Sequence, residues 1–261
     1  MIGDPSNAKR FAFIRAALEA ARPHSWTEAH VLDLGCGPGP LADYLGQHGC
    51  RDVCGVDLDP LLVAAARVRC SEYGHRFHED RIEDFLERPE ARGPWDAIVL
   101  SEVLMHLANP LDTLRTIRSV LAPNGCLVIT VPNGFGPWER YHRLSERQRY
   151  RDRTATADGK RLLQRYRRRD VIRVLQGLDF QLQSFQRSNF ISGVYPFNVP
   201  GYHSFDWVEK LDCWLADWLP SSVVSGWYFA FRRAPAVVPG AAVTGDRQPV
   251  LPLRLPARAR G

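Results

Sequence analysis

No apolar run in these 261 residues approaches the roughly 20 needed to cross a bilayer. The opening stretch MIGDPSNAKRFAFIRAALEA has no apolar segment followed by a small-residue cleavage site, which argues against a secretory signal. The six cysteines (36, 50, 54, 70, 126 and 213) form no CxxC pair and no compact framework, so reduced thiols and a cytoplasmic location are expected. Cys50 and Cys54 are four apart, but no nearby His or Cys completes a zinc site, and no metal is expected. There is no internal repeat.

With 45% hydrophobic and 24% charged residues, the chain has the composition of an ordinary globular domain. Its net charge of +5 is unevenly spread: eleven arginines and one lysine fall between Arg140 and Arg169, against far fewer acids. Such a run is a solvated face or a surface for an anionic substrate, a lipid head group or RNA. Without an RRM, KH or OB-like signature, nucleic acid is the least expected of these partners.

Strand-like and helix-like segments alternate from residue 8 onward. HVLDLG, DVCGVDLD, HRFHED, WDAIVLSE and CLVITVPN read as strands. PLADYLGQHG, PLLVAAARVRCSEYG, IEDFLER and NPLDTLRTIRSVLAPNG read as the helices between them. Such alternation implies an α/β, doubly wound, mostly parallel sheet. Residues 134–165 carry few apolar positions and read as a lid or insert. A further helix and strand follow in RRDVIRVLQGLDFQLQSFQ, and SGWYFAFRR reads as the last strand. An aromatic helical insert is expected over 190–222. Its helix FDWVEKLDCWLADWLP aligns Trp207, Leu211, Trp214, Leu215 and Trp218, a stripe that most often packs into a core but can cap a hydrophobic ligand or rest on a membrane. One domain over 1–233 is expected, with a disordered Pro/Ala/Arg-rich tail over 234–261.

The loop Gly35-Cys36-Gly37-Pro38-Gly39 follows the first strand. A dinucleotide-binding loop reads GxGxxG, and here its third glycine position is Pro40. Two prolines also remove backbone N–H groups that phosphates require. Asp33 lies just before the loop, where an anion suits a positively charged ligand and repels a pyrophosphate. Asp57 ends the second strand, where a carboxylate can accept hydrogen bonds from ribose hydroxyls.

In order and spacing, VLDLGCGPGPLADYL, GVDLDP, FHEDRIEDF, WDAIVLSEVLMHLANP and LAPNGCLVITVPNG resemble the class I S-adenosylmethionine-dependent methyltransferases. The chain looks most like the group that includes the ubiquinone-biosynthesis O-methyltransferases. The resemblance is strong over residues 8–133 and extends to 160–233 in pattern only. It implies a Rossmann-like seven-stranded sheet and S-adenosyl-L-methionine as cofactor. It also implies that Gly35, Gly37 and Gly39 lie under the methionine part, with Asp33 near its amino group. Asp57 would hold the ribose, Asp80, Arg81 and Ile82 would flank the adenine, and Ser101 would touch the cofactor through its backbone. Arg10 would meet the cofactor carboxylate, unless it is an ordinary arginine on a helix surface.

Glu102 and His106, four apart in SEVLMHL, are expected on one helical face as the catalytic pair, with His106 a base or a hydrogen-bond partner of the acceptor. A structural histidine capping the loop is the alternative. In the resembled enzymes this segment carries an additional acid, proposed to help bind a divalent metal; here that position is Met105, which weakens a hard-cation site. Asn133, Trp138 and Glu139 are expected at the rim of an acceptor site or in a packed loop, and His142 and His203 are within possible reach of a substrate. The chain lacks the N/D-P-P-Y/F tetrapeptide that family knowledge links to amino-group methylation. The expected reaction is O-methylation of a small-molecule or lipid-like acceptor. An RNA or protein acceptor, or a non-catalytic cofactor-binding module, are the alternatives. Oligomeric state is not readable.

Overall fold

The computed structural model describes residues 5–22, 25–137, 139–140, 164–190 and 206–234. Most of the expected lid and of the basic segment, the first part of the aromatic insert, nearly all of the expected tail, and Trp138, His142 and His203 lie outside these residues.

The elements run α1 (Pro5–Ala21), β1 (His30–Leu34), α2 (Pro40–Gln47), β2 (Asp52–Asp57), α3 (Pro60–Arg69), β3 (Arg76–Glu79), α4 (Ile82–Glu87), β4 (Trp95–Ser101), α5 (Pro110–Val120), β5 (Leu121–Pro132), α6 (Arg168–Gly177), β6 (Phe180–Arg187), α7 (Asp206–Trp218) and β7 (Gly226–Arg233). Proline starts α2, α3 and α5, where its missing N–H costs no intrahelical bond. Asp59 caps α3 by accepting the Leu61 N–H at 2.9 Å.

The seven strands form one sheet in the order β3-β2-β1-β4-β5-β7-β6. Pairing is parallel from β3 to β5, and β7 runs antiparallel to both neighbours. β5 starts earlier than the expected CLVITVPN: Leu121 already pairs with Trp95, and a register shift follows before Cys126 meets Ala97.

Both faces are covered, which explains the near-continuous apolar runs of β1, β2 and β4. Strand alternation sends Val31, Val53, Ala97, Val99 and Val128 to one face, against Phe11, Ile14 and Leu18 of α1 and Leu41 and Leu45 of α2. Leu32, Leu34, Ile98, Leu100 and Ile129 go to the other face, against Phe85 of α4, Leu114 and Ile117 of α5 and Leu175 of α6.

By the same alternation, Asp33, Asp57, Ser101 and Thr130 share the α1 face. Each stands at or near the carboxyl end of its strand. Ligands of open α/β sheets bind along this edge.

Two features depart from the sequence-based expectations. Glu102 and His106 do not share a helical face. β4 ends at Ser101, Glu102 takes the left-handed conformation (φ 59°), and only a short 3-10 turn spans Leu104–His106. The tryptophan stripe of α7 is not core: Trp207, Trp214 and Trp218 are 64%, 56% and 76% exposed. The inner side of α7 instead buries Cys213 and Ala216, and Lys9 of α1 is hydrogen-bonded to its Cys213 carbonyl at 2.8 Å.

Candidate functional site

The glycine loop is folded back onto β2. The N–H groups of Gly35 and Cys36 donate to the Val56 carbonyl at 2.7 and 3.0 Å, and the Gly37 N–H donates to Asp57 Oδ2 at 2.8 Å. Gly39 N–H bonds within the loop to the Cys36 carbonyl at 3.1 Å. With prolines at 38 and 40, the loop turns no array of N–H groups outward for a pyrophosphate. Gly35 has φ +81°, and a Cβ there would lie 2.3 Å from Val103 Cγ2. Gly37 also has positive φ, but a Cβ there would meet no atom within 4 Å, so open space lies above it. One glycine therefore serves packing, and the other faces that space.

Asp57 is 3% exposed and also accepts the Asp59 N–H at 3.1 Å. Leu58, next in sequence, is 60% exposed beside it. Asp80 N–H donates to the Asp57 carbonyl at 3.0 Å, which sets the third strand's exit against the second. The Asp80 carboxylate lies 2.7 Å from Arg88, so that side chain is engaged within the chain. Arg81 is turned to Glu83 and Asp84, and Ile82 packs half-buried on the core.

Arg10, Asp33, Glu102 and His106 converge from α1, β1, the exit of β4 and the following turn. Asp33 is 2% exposed, and burial pushes its pKa up to about 7, opposed by Arg10 and reinforced by Asp57. Burial also raises the Glu102 pKa, opposed by Arg10, by the Thr130 hydroxyl and by His106. Arg10 is hydrogen-bonded to Asn7, while its buried Nε has no hydrogen-bond partner. The half-buried arginine that α1 carries thus lowers the proton affinity of two acids, buried Asp33 and half-buried Glu102.

Across from the loop, Thr130 is fully buried and bonded to Glu102, while Ser101 Oγ lies 3.3 Å from its hydroxyl. Beyond them a small cavity of about 40 Å³ is lined by Met105, Pro132, Gly134, Glu139, Gln164, Arg165 and Tyr166. Glu139 and Arg165 pair across it at 3.2 Å. Asn133 does not face this pocket openly. Its amide donates to the carbonyls of Ser222 and Val224 at 2.9 and 3.0 Å and ties down the entry to β7. Among the described residues no group of three His, Cys, Asp or Glu side chains could hold a metal ion.

Sequence reasoning missed Thr130 and Leu58. The one signal for Thr130 is a hydroxyl within an otherwise apolar strand. For Leu58 it is an apolar residue directly after the strand-ending acid.

The family profile of a methyltransferase domain matches residues 6–184. The chain belongs to the class I S-adenosylmethionine-dependent methyltransferases. A ubiquinone biosynthesis O-methyltransferase of Xanthomonas axonopodis pv. citri is 33% identical over 129 residues, 49% of this chain and 50% of that protein. The chain thus spans about half the length of the curated relatives it matches. Among solved structures, magnesium protoporphyrin IX methyltransferase of Synechocystis PCC 6803 with bound S-adenosylhomocysteine shares the fold at TM-score 0.56 and 16% identity. That match covers 87% of this chain and 83% of the other. The [4+2]-cyclase SpnF shares it at TM-score 0.57 and 16% identity, over 85% and 81%. These likenesses establish the fold and leave this methyltransferase-family chain's acceptor unspecified.

The residues present fit the family's cofactor, S-adenosyl-L-methionine. Open space above Gly37, a buried carboxylate in Asp33 and an unsatisfied guanidinium nitrogen on Arg10 complement a ligand carrying both an ammonium and a carboxylate.

Proposed function

We propose that this chain transfers the methyl group of S-adenosyl-L-methionine to a hydroxyl of a small-molecule or lipid-like acceptor, with Glu102 and His106 serving the acceptor's proton. The observation that carries this reading is Glu102, a half-buried glutamate of raised proton affinity in a left-handed backbone conformation. Strain of this kind persists where the surroundings impose it, and it concentrates at active sites.

Arg10 and Asp33 take the carboxylate and ammonium ends of the cofactor, Asp57 its ribose, and Leu58 and Ile82 flank the adenine. Bound there, the cofactor supplies a methyl already activated on a sulfonium, so no metal is needed to make it electrophilic. The protein's tasks are then to align the acceptor oxygen behind that methyl, to exclude water and to receive one proton. Glu102, half-buried and hydrogen-bonded to Thr130, takes that proton directly or through His106. Met105, Pro132 and Tyr166 offer apolar contacts to the edge of an acceptor, and Gln164, Glu139 and Arg165 polar ones. The exposed tryptophans of α7 favour a hydrophobic acceptor or a peripheral contact with the membrane that carries one.

Incubation with methyl-labelled cofactor and a cell extract, followed by fractionation, tests the acceptor class. Label in organic-phase or aqueous small molecules supports the proposal, and label in RNA or protein overturns it. With the labelled acceptor in hand, Glu102→Gln is expected to lower kcat about 100-fold with little change in cofactor affinity. Wild-type turnover in that variant would remove Glu102 from the chemistry.

A further inference from the structure

The turn after β4 poses a physical problem that one side chain solves. A glutamate with φ 59° sits where its Cβ crowds the following carbonyl, a conformation that glycine adopts at no such cost. Its side chain is also half-buried and needs a hydrogen-bond partner inside the fold. Thr130, one strand over on β5, meets both demands. Its hydroxyl donates to Glu102 Oε1 at 3.0 Å, and the Glu102 backbone N–H reaches Thr130 twice, at 3.1 Å to Oγ1 and 3.1 Å to the carbonyl. The side chain thus grips the glutamate at its backbone and at its carboxylate.

We propose that Thr130 is a positioning residue, whose hydroxyl holds Glu102 in its left-handed turn and keeps its carboxylate ionisable inside the site. The catalytic assignment of Glu102 rests on the function proposed above, but the grip of Thr130 on Glu102 does not.

Among the described residues, the Thr130 hydroxyl from β5 is hydrogen-bonded to the carboxylate, and Arg10 from α1 and His106 from the turn beyond β4 act on it electrostatically. Arg10 also bears on Asp33. The hydroxyl is the neutral partner, and it is hydrogen-bonded directly to the carboxylate. A hydrogen bond to the charged form lowers a carboxyl's pKa, so its removal raises the proton affinity of Glu102. Valine matches threonine in shape and lacks the hydroxyl; serine keeps the hydroxyl and lacks the methyl.

The test is a carboxyl-carbon NMR titration of full-length protein labelled at glutamate, with the Glu102 signal assigned by its loss in Glu102→Gln. In Thr130→Val the Glu102 midpoint is expected to rise by about one pH unit, tenfold in proton affinity. In Thr130→Ser it stays within about 0.3 unit of wild type. A midpoint unmoved in Thr130→Val overturns the proposal, as does an equal rise in both variants, which would assign the effect to packing around the missing methyl. If Thr130→Val does not fold, Thr130→Ser still decides, because a serine variant with a displaced midpoint shows that the hydroxyl alone does not hold the carboxylate. Full methyl transfer by Glu102→Gln would end the general-base reading and leave the titration result standing.

Discussion

At the ends of β1 and β2 the chain holds its site by backbone, whereas at the ends of β4 and β5 it relies on side chains. On the first side, Gly35, Cys36 and Gly37 are bonded through their N–H groups to β2, and the shape depends on glycine conformations. On the second, Thr130, Glu102 and Asn133 set the geometry through a hydroxyl, a carboxylate and an amide. A loop held mainly by backbone keeps its shape through most side-chain changes, so long as Asp57 remains to accept the Gly37 N–H. A half built from side chains changes specificity with each replacement. One cofactor and many acceptors is the division of labour such a construction supports.

The largest effect that would break this contrast is expected at Gly35, where the two halves touch. Gly35→Ala drives a Cβ to 2.3 Å from Val103 Cγ2 and adds the strain of φ +81°, together roughly 4 kcal/mol or more. Thermal unfolding and calorimetry should show a steep loss of stability and of S-adenosylmethionine binding. Gly37→Ala shares the positive φ without the clash, and about 1 kcal/mol of stability is expected to go. Equal losses in the two variants would show that backbone strain alone, not the junction with Val103, governs the loop.

Next in size is the proton on Asp33. Its pKa is about 7 in the folded chain against an ordinary 3.8. Between these values the folded chain holds a proton that the unfolded chain has lost. Its contribution to stability is therefore fully present below pH 4, falls as the pH rises toward 7, and is level above that. The span is at most about 4 kcal/mol. Asp33→Asn is expected to remove this slope from the melting temperature of the cofactor-free protein. Cationic ligand groups favour the carboxylate, so cofactor affinity should rise with pH up to about 7 with release of a proton. Calorimetric titration in buffers of different ionisation enthalpy reads that release.

A smaller effect sharpens the contrast from the other side. Asn133→Ala leaves the Ser222 and Val224 carbonyls and the Phe135 N–H without the amide, a loss of about 2 kcal/mol. Cofactor affinity should stay within twofold, measured beside the melting temperature. A large loss of affinity would show that the two halves are not separable.

The turns and strand ends of the glycine-loop side are legible in the sequence because their determinants are local. Glycine and proline mark where the loop turns, and acids at strand ends lie at fixed offsets from it. Even there, the sequence could not show that the loop's N–H groups are taken up by β2, because that depends on a neighbouring strand. The acceptor half was less legible. Glutamate carries no local signal for a left-handed turn, so Glu102 and His106 read as a helix-spaced pair when the chain had already turned. The grip of Thr130 on Glu102 joins residues 28 apart in sequence and lies within an apolar strand. For α7 the 3.6-residue period marked the stripe, but periodicity cannot tell whether the matching surface is protein, ligand or solvent.

Lys9, the neighbour of Arg10, donates to the Ser188 carbonyl at 2.9 Å, to the Cys213 carbonyl at 2.8 Å and to Asp217 at 2.9 Å, across 179 to 208 residues of chain. These anchors emerge from the ribosome long after α1 does. During synthesis the glycine loop and its strands can assemble while α1 still lacks its mooring. Arg10, which bears on Asp33 and Glu102, is therefore carried on a helix fastened partly by the last third of the chain, and a nascent chain halted before α7 would lack the Cys213 and Asp217 part of that fastening.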